Sequence, residues 1–198
     1  MVKANMEDKR KLKDEKLMML INLYDDREAF EIIMDRYKKK ILNLVLRITG
    51  NFHVAEEISQ DVFVSLYLNR KRYDIKGKFS SLIFKIAINK SFNYLKKGKE
   101  LPLDSEKFKL RDNSLTPYEL ALKNERKRIF EENLQKLSPV ERTALILYTK
   151  EGKSYNEIAD LMECSLQSVK NFIHRGKLKL IKLVEESTKK SSGEEKNV

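Results

Sequence analysis

What most limits this chain is the spacing of its apolar residues, which advance by three and four through most of its length. Phe30, Ile33, Met34, Tyr37, Ile41, Leu44, Val45 and Ile48 form one such stripe, closed by Gly50. Ala55, Ile58, Val62 and Leu66 form a second. Phe79, Ile83, Ile86, Ala87, Tyr94 and Leu95 form a third, after a loop containing Gly77. A period near 3.6 is that of amphipathic helices with one buried face, and a glycine just past the last apolar position is a helix stop. Composition agrees: six Gly, three Pro and no Trp in 198 residues suit helices better than a turn-rich sandwich. Three or four antiparallel helices around one core are expected over residues 12–97.

The period then breaks. Residues 98–117 carry Pro102, Pro117 and several Asp, Ser and Asn without a sustained stripe, the composition of a flexible linker. A new helix is expected from Tyr118 through Leu122, Ile129, Phe130 and Leu134 to Leu137, opening a second domain over residues 118–185. The polar residues 186–198 are expected to be a disordered tail. The fold class is therefore all-α, with two small helical domains.

The second domain is the better punctuated. Ser138-Pro-Val-Glu141 combines an N-cap serine, a first-turn proline and the glutamate of a capping box. The helix it starts should bury Ala144, Leu145, Leu147 and Tyr148 and stop at Gly152. Ser154-Tyr-Asn-Glu157 is a second capping box, opening a short helix with Ile158, Ala159 and Leu161 inward. After a turn at Met162-Glu-Cys164, Ser165 caps a helix expected to bury Leu166, Val169, Ile173 and Leu178. A small side chain suits Cys164 in that turn, where packing rather than redox chemistry is expected. A short helix, a tight turn and a longer basic helix make a helix-turn-helix. Gln167, Ser168, Lys170, Asn171, His174 and Arg175 would face outward. Amide and basic side chains there suit base edges and phosphates in a major groove.

Charge is concentrated rather than spread. From Ser65 to Glu100 ten Lys or Arg stand against Asp74 and Glu100, and Ser165–Lys182 holds five Lys or Arg with no acid. Together these windows carry +13, more than the whole-chain +11, so the remainder is close to neutral. Two basic surfaces on a near-neutral body fit a polyanion touched at two places.

Other classes are disfavoured. One cysteine excludes an intramolecular disulfide, and His53 and His174 lie too far apart in sequence for a zinc finger. The first residues alternate in charge without a signal-peptide core, and the apolar stretch Leu17–Leu23 is too short to span a bilayer. The cytoplasm is the expected compartment. No cofactor is expected, and no His, third acid or Gly-rich phosphate loop accompanies the carboxylates Glu57 and Asp61 to point to an enzyme.

Short stretches of each half carry a resemblance. Glu56-Glu57-Ile58-Ser59-Gln60-Asp61-Val62-Phe63 and Phe79-Ser-Ser-Leu-Ile-Phe-Lys-Ile86-Ala87-Ile88-Asn89 resemble region 2 of the sigma-70 family. Leu137-Ser-Pro-Val-Glu-Arg142, with Tyr155-Asn-Glu157-Ile158-Ala159 and Val169-Lys170 to Arg175, resembles region 4. A short linker in place of region 3 is the arrangement of the extracytoplasmic-function (ECF) sigma factors. The family's tryptophan-leucine is here Leu82-Ile83, which bears on local loop geometry.

The resemblance implies roles. Glu57, Gln60 and Asp61, one side of a helix by spacing, would dock on a coiled coil of the largest subunit of core RNA polymerase, while region 4 would meet the polymerase flap. Tyr73, Lys85, Asn89 and Lys96 would read the −10 promoter element, with Asn89 holding a base extruded from the non-template strand. The helix-turn-helix would read −35 duplex DNA. An anti-sigma factor is the implied antagonist. Read without the resemblance, Glu57, Gln60 and Asp61 are a solvated helix face, and the chain could be a stand-alone helix-turn-helix regulator with a helical sensor domain.

Overall fold

A computed structural model describes residues 6–72, 78–98 and 128–194, with side chains to Thr188. Among the described residues the regular structure is helical, with no strand: α1 Met6–Arg10, α2 Asp14–Tyr24, α3 Arg27–Thr49, α4 Phe52–Leu68, a 3₁₀ turn Arg70–Arg72, α5 Phe79–Lys96, α6 over 128–135, α7 Pro139–Thr149, α8 Tyr155–Met162 and α9 Leu166–Glu194. No described helix is long and apolar enough to cross a membrane. The chain divides into two compact units, Met1–Thr49 with His53–Glu100, and Gly50–Phe52 with Leu101–Val198. The linker positions from 99 onward and the expected helix start at Tyr118 lie outside the described residues.

The first unit is built on α3. Ile33, Tyr37, Ile41, Leu44, Val45 and Ile48 are buried along it, and α2 and α5 pack on that stripe. α2 contributes Leu17, Met18 and Ile21 to the core. Polar contacts then set its direction. Arg36 of α3 donates to the carbonyls of Leu12 and Arg10 and to Asp14, whose other oxygen accepts from the Tyr37 hydroxyl at 2.6 Å. Burial, with the Asp14 contact second, pushes the Tyr37 phenol far above its usual range. Ahead of α2, Lys9 pairs with Asp26 at 2.6 Å and Glu28 at 2.8 Å, while Asp26 accepts from the Ala29 amide in the first turn of α3.

The apolar period finds the helices and misjudges some of their rotations. On α5 the buried set is Phe79, Ile83, Phe84, Ala87, Ile88 and Ser91. Ile86 was expected inward and is only half-buried. It lies on the Asn89 side of the helix, while Ile88 fills the core position. Phe30 and Met34, expected in the core of α3, are also half-buried.

In the second unit α7 and α9 pack most closely, with α8 across them. Both capping boxes form: Ser138 accepts from the Glu141 amide and Ser154 from that of Glu157, and each glutamate answers its serine's backbone. Val169, Ile173 and Leu180 are the buried apolar positions of α9. Leu166 and Leu178, expected inward, are 40% and 58% exposed, because the stripe runs 169, 173, 176, 180 and bypasses both. Tyr148 is likewise 38% exposed rather than buried. Arg142 is buried and donates to the carbonyl and the side-chain oxygen of Gln135; burial lowers its pKa to about 10, leaving it charged at neutral pH.

Helix α9 runs into the residues expected as a tail, of which 195–198 lie outside the described residues. α9 continues to Glu194. Residues 186–192 hold no helix breaker, and the Ser187 hydroxyl donates to the Leu183 carbonyl and lies 3.0 Å from the Asn133 amide, which donates to it. The Asn133 contact holds α9 at Ser187.

Gly176 sits where α9 meets α7, and a Cβ there would lie 3.4 Å from the Glu141 carbonyl oxygen. Gly176→Ala should therefore be tolerated, gaining up to ~1 kcal/mol of helix propensity. Gly176→Leu should wedge the helices apart and cost ~1–3 kcal/mol. Urea denaturation compares them, and a leucine variant as stable as wild type would show that the approach is not tight.

Candidate nucleic-acid interface

Four surfaces carry the chemistry. The first is α9 with the turn before it. α8 ends at Glu163, whose φ of +51° is the left-handed cap that reverses the chain. The Ser165 hydroxyl then accepts from the Ser168 amide at 3.1 Å and lies 2.9 Å from the Ser168 hydroxyl. Ser168 is thus half-buried and engaged in the cap, whereas Gln167, Lys170, Asn171, His174 and Arg175 are all exposed. Gln167 donates to Asn171 at 3.2 Å, which orients two amides one helical turn apart. Burial raises the Cys164 thiol above its ordinary value. Behind the outward face, Lys177 lies 4.8 Å from the Tyr148 ring centre and Tyr148 packs tilted against Tyr155 at 5.3 Å, tying the three helices together.

The second surface is the outer side of α5. Lys85 and Asn89 are half-buried and Lys96 exposed, all on the side away from the core set. Leu82 and Ile86, also half-buried, fall on the same side and put apolar surface beside the Asn89 amide. Tyr73 lies outside the described residues.

The third is α4, where Glu57, Gln60 and Asp61 are exposed together. Asp61 faces Lys90 of α5 at 3.6 Å, so one member of the acidic face is tied to the basic helix. With Asp61 64% exposed this pair is worth little to stability.

The fourth surface escaped the sequence reading. A groove of about 850 Å³ runs between α3 and α4, lined by Phe30, Met34 and Leu42 on one side and Phe63, Val64, Tyr67 and Leu68 on the other. Gln60 lies in its wall, whereas Glu57 and Asp61 do not. Val64 and Leu68 are 55% and 71% exposed. A signal was available: 57, 60, 61, 64 and 68 share a helix face, so apolar residues continue the line of the acidic ones.

Comparison with known proteins follows this division. Residues 33–100 match the family model for sigma-70 region 2, and residues 127–180 that for sigma-70 region 4. The ECF RNA polymerase sigma factor SigW of Bacillus subtilis is 31% identical over 162 residues, 77% of this chain and 87% of that protein. The chain belongs to the ECF sigma factors of the sigma-70 family. The RNA polymerase sigma-H factor of Pseudomonas aeruginosa is 29% identical over 162 residues, 77% of this chain and 84% of that one.

Two solved structures share the fold. CnrH, in complex with the cytosolic domain of CnrY, superposes with a TM-score of 0.64 at 20% identity, over 87% of this chain and 97% of that one. The sigma factor RpoE of Bartonella quintana, in complex with the anti-sigma factor NepR, gives 0.66 at 17%, over 80% and 98%. As an ECF sigma factor the chain is an alternative sigma factor, a DNA-binding protein of transcription initiation. Family membership replaces the reading as a stand-alone regulator. Sigma factors are themselves non-catalytic.

Lys170→Ala with Arg175→Ala should weaken binding to duplex promoter DNA and flatten its salt dependence. The log–log slope should fall by ~0.9 for each phosphate that is no longer neutralised. An unchanged slope in a filter-binding titration would show that these side chains do not reach the DNA backbone.

Proposed function

We propose that this ECF sigma factor docks core RNA polymerase through α4, reads −35 duplex DNA with α8 and α9, and captures the melted −10 non-template strand on the outer side of α5. The observation that carries the reading is the separation of chemistries within the first unit. α4 presents Glu57, Gln60 and Asp61, and α5 presents Lys85, Asn89 and Lys96. A single unit can thereby hold a protein partner on one helix and nucleic acid on the next. Tyr73 belongs to the −10 set by family resemblance.

The steps follow from ordinary physical chemistry. In the second unit, Lys170 and Arg175 supply phosphate or guanine contacts, while the paired amides of Gln167 and Asn171, with His174, offer base-edge donors and acceptors. At −10, extruding a base costs a few kcal/mol, so a pocket that binds the extruded base drives opening without ATP. The Asn89 amide offers both donor and acceptor to a base edge, Leu82 and Ile86 offer apolar surface beside it, and the lysines neutralise phosphate. Polymerase supplies the bond-forming chemistry.

Docking needs apolar area as well as charge, since exposed ion pairs contribute little. The groove between α3 and α4 provides that area next to the acidic face, and the largest-subunit coiled coil is its proposed occupant. The polymerase flap is the proposed partner of the second unit. An anti-sigma factor is the proposed antagonist, as NepR is for RpoE by the name of that complex.

Run-off transcription with core polymerase tests the whole reading. Asn89→Ala should leave −35 binding intact and reduce the open complex by roughly 5- to 150-fold, the range for one good base-edge contact of ~1–3 kcal/mol. Permanganate reactivity of thymines around −10 reports this, and a template already mismatched there should recover part of the loss. Wild-type opening by Asn89→Ala would make the amide structural.

A second expectation concerns docking. Glu57→Lys with Asp61→Asn should abolish co-purification with core polymerase, and Leu68→Asp should weaken it by at least tenfold. All three positions are exposed, so circular dichroism should be unchanged. Full retention of core polymerase by these variants would remove α4 and the groove from the docking surface.

A further inference from the structure

α2 contributes nothing to the sites described above, yet its two ends hold the two ends of the segment that leads into the −10 helix. At its first turn, Glu15 accepts a hydrogen bond from the backbone amide of Phe79 at 3.1 Å. Phe79 is the first residue of α5, whose own N-cap, Lys78, makes no side-chain cap bond and whose first turn has no acid. The orphan amide of α5 is thus capped from another helix, sixty-four residues away in sequence. The same carboxylate favourably meets the positive end of the α5 dipole. Phe79 is also held at its ring, edge-on to Tyr37 at 5.2 Å.

At the other end of α2, the cap residue Asp25 adopts φ of +53°. Its carboxylate accepts from the Tyr67 hydroxyl at 2.7 Å and pairs with Arg70 at 2.9 Å. Arg70 lies over the Tyr67 ring at 4.3 Å and donates to the Tyr67 carbonyl at 2.8 Å. With a side chain only 19% exposed, this guanidinium belongs to the 3₁₀ turn and not to the DNA-facing charge. Lys71 and Arg72, the next residues, are exposed.

We propose that Glu15 and Asp25 are positioning residues for promoter opening. Glu15 sets the start of α5, and Asp25, through Tyr67 and Arg70, sets the turn that follows α4. The two carboxylates are ten residues apart on one rod, about 15 Å at 1.5 Å per residue. α2 therefore acts as a gauge for the separation and direction of the two chain ends. The register of Asn89 against the DNA depends on where α5 begins. This inference rests on the −10 reading of α5 proposed above.

The test uses the full-length chain with core polymerase on a promoter, scored by permanganate opening, core co-purification and −35 binding. Glu15→Ala should lower opening about five-fold, the equivalent of removing one cap bond. Glu15→Gln, which keeps an acceptor, should recover most of it. Asp25→Asn tolerates the left-handed backbone but removes the charge facing Arg70, and should show a similar drop in opening. Adding Arg70→Met to it should cost less than the sum of the two single changes, since they share the Asp25–Arg70 pair. Core co-purification and −35 binding should stay at wild-type levels in all of these.

A mere folding role would lower all three readouts together and would add in full to Asn89→Ala. A positioning role acts through Asn89, so Glu15→Ala combined with Asn89→Ala should be little worse than Asn89→Ala alone. Wild-type opening by both Glu15→Ala and Asp25→Asn, or full additivity with Asn89→Ala, would overturn the proposal. If Asn89→Ala itself opened like wild type, the capture reading would fall. The positioning proposal would then stand or fall on whether Glu15→Ala and Asp25→Asn still lowered opening.

Discussion

The apolar stripe of α3 is the constraint on which the first unit depends. Ile33, Tyr37, Ile41, Leu44, Val45 and Ile48 are buried along one side of a 23-residue helix, and α2 and α5 pack on it. Burying a large aliphatic side chain is worth about 1.5–3 kcal/mol, and α2 and α5 bury their own apolar residues against this stripe. Its surroundings then decide what remains at the surface. Phe30, Met34 and Leu42, flanking the stripe, become one wall of a groove whose other wall is α4.

Charge in this protein is divided by what each group touches. Lys9, Arg36 and Arg70 are tied to carboxylates or carbonyls of the first unit and serve its geometry. Lys170 and Arg175 stand exposed on a helix that carries no acid between positions 166 and 182. Only the second kind can release condensed counterions from DNA. Net charge alone does not separate them, and the Arg70–Asp25 contact shows why. Three consecutive basic residues follow α4, of which the first is stacked on Tyr67 and paired.

The second unit solves a different problem, keeping α9 rigid while leaving one side of it exposed. Capping boxes at Ser138 and Ser154 fix where α7 and α8 begin. Gly176 brings α9 against α7, and Ser187 fastens α9 to Asn133 beyond the apolar contacts. The outward side is then free of packing duties. That is the arrangement a helix needs if its amides and cations are to be placed by the fold rather than by the ligand.

The helices, their caps, the two-unit division and the family were legible in the sequence, because they follow from local rules: a 3.6 period, a Ser-x-x-Glu box, a glycine stop and the order of short motifs. Rotation of each helix was not. Ile86 and Ile88 on α5, or Leu178 and Leu180 on α9, are equally apolar, and which one is buried depends on where the neighbouring helix lies. The groove between α3 and α4 was hidden for the same reason, being formed by residues of two helices whose shared surface no single period describes. The contact of Ser187 with Asn133 joins residues 54 positions apart and follows no local rule. The contacts of Glu15 and Asp25 link residues more than forty positions apart. Local sequence determined what could be helical and what could be charged; only the packing decided which faces met, because burial is a property of pairs of surfaces.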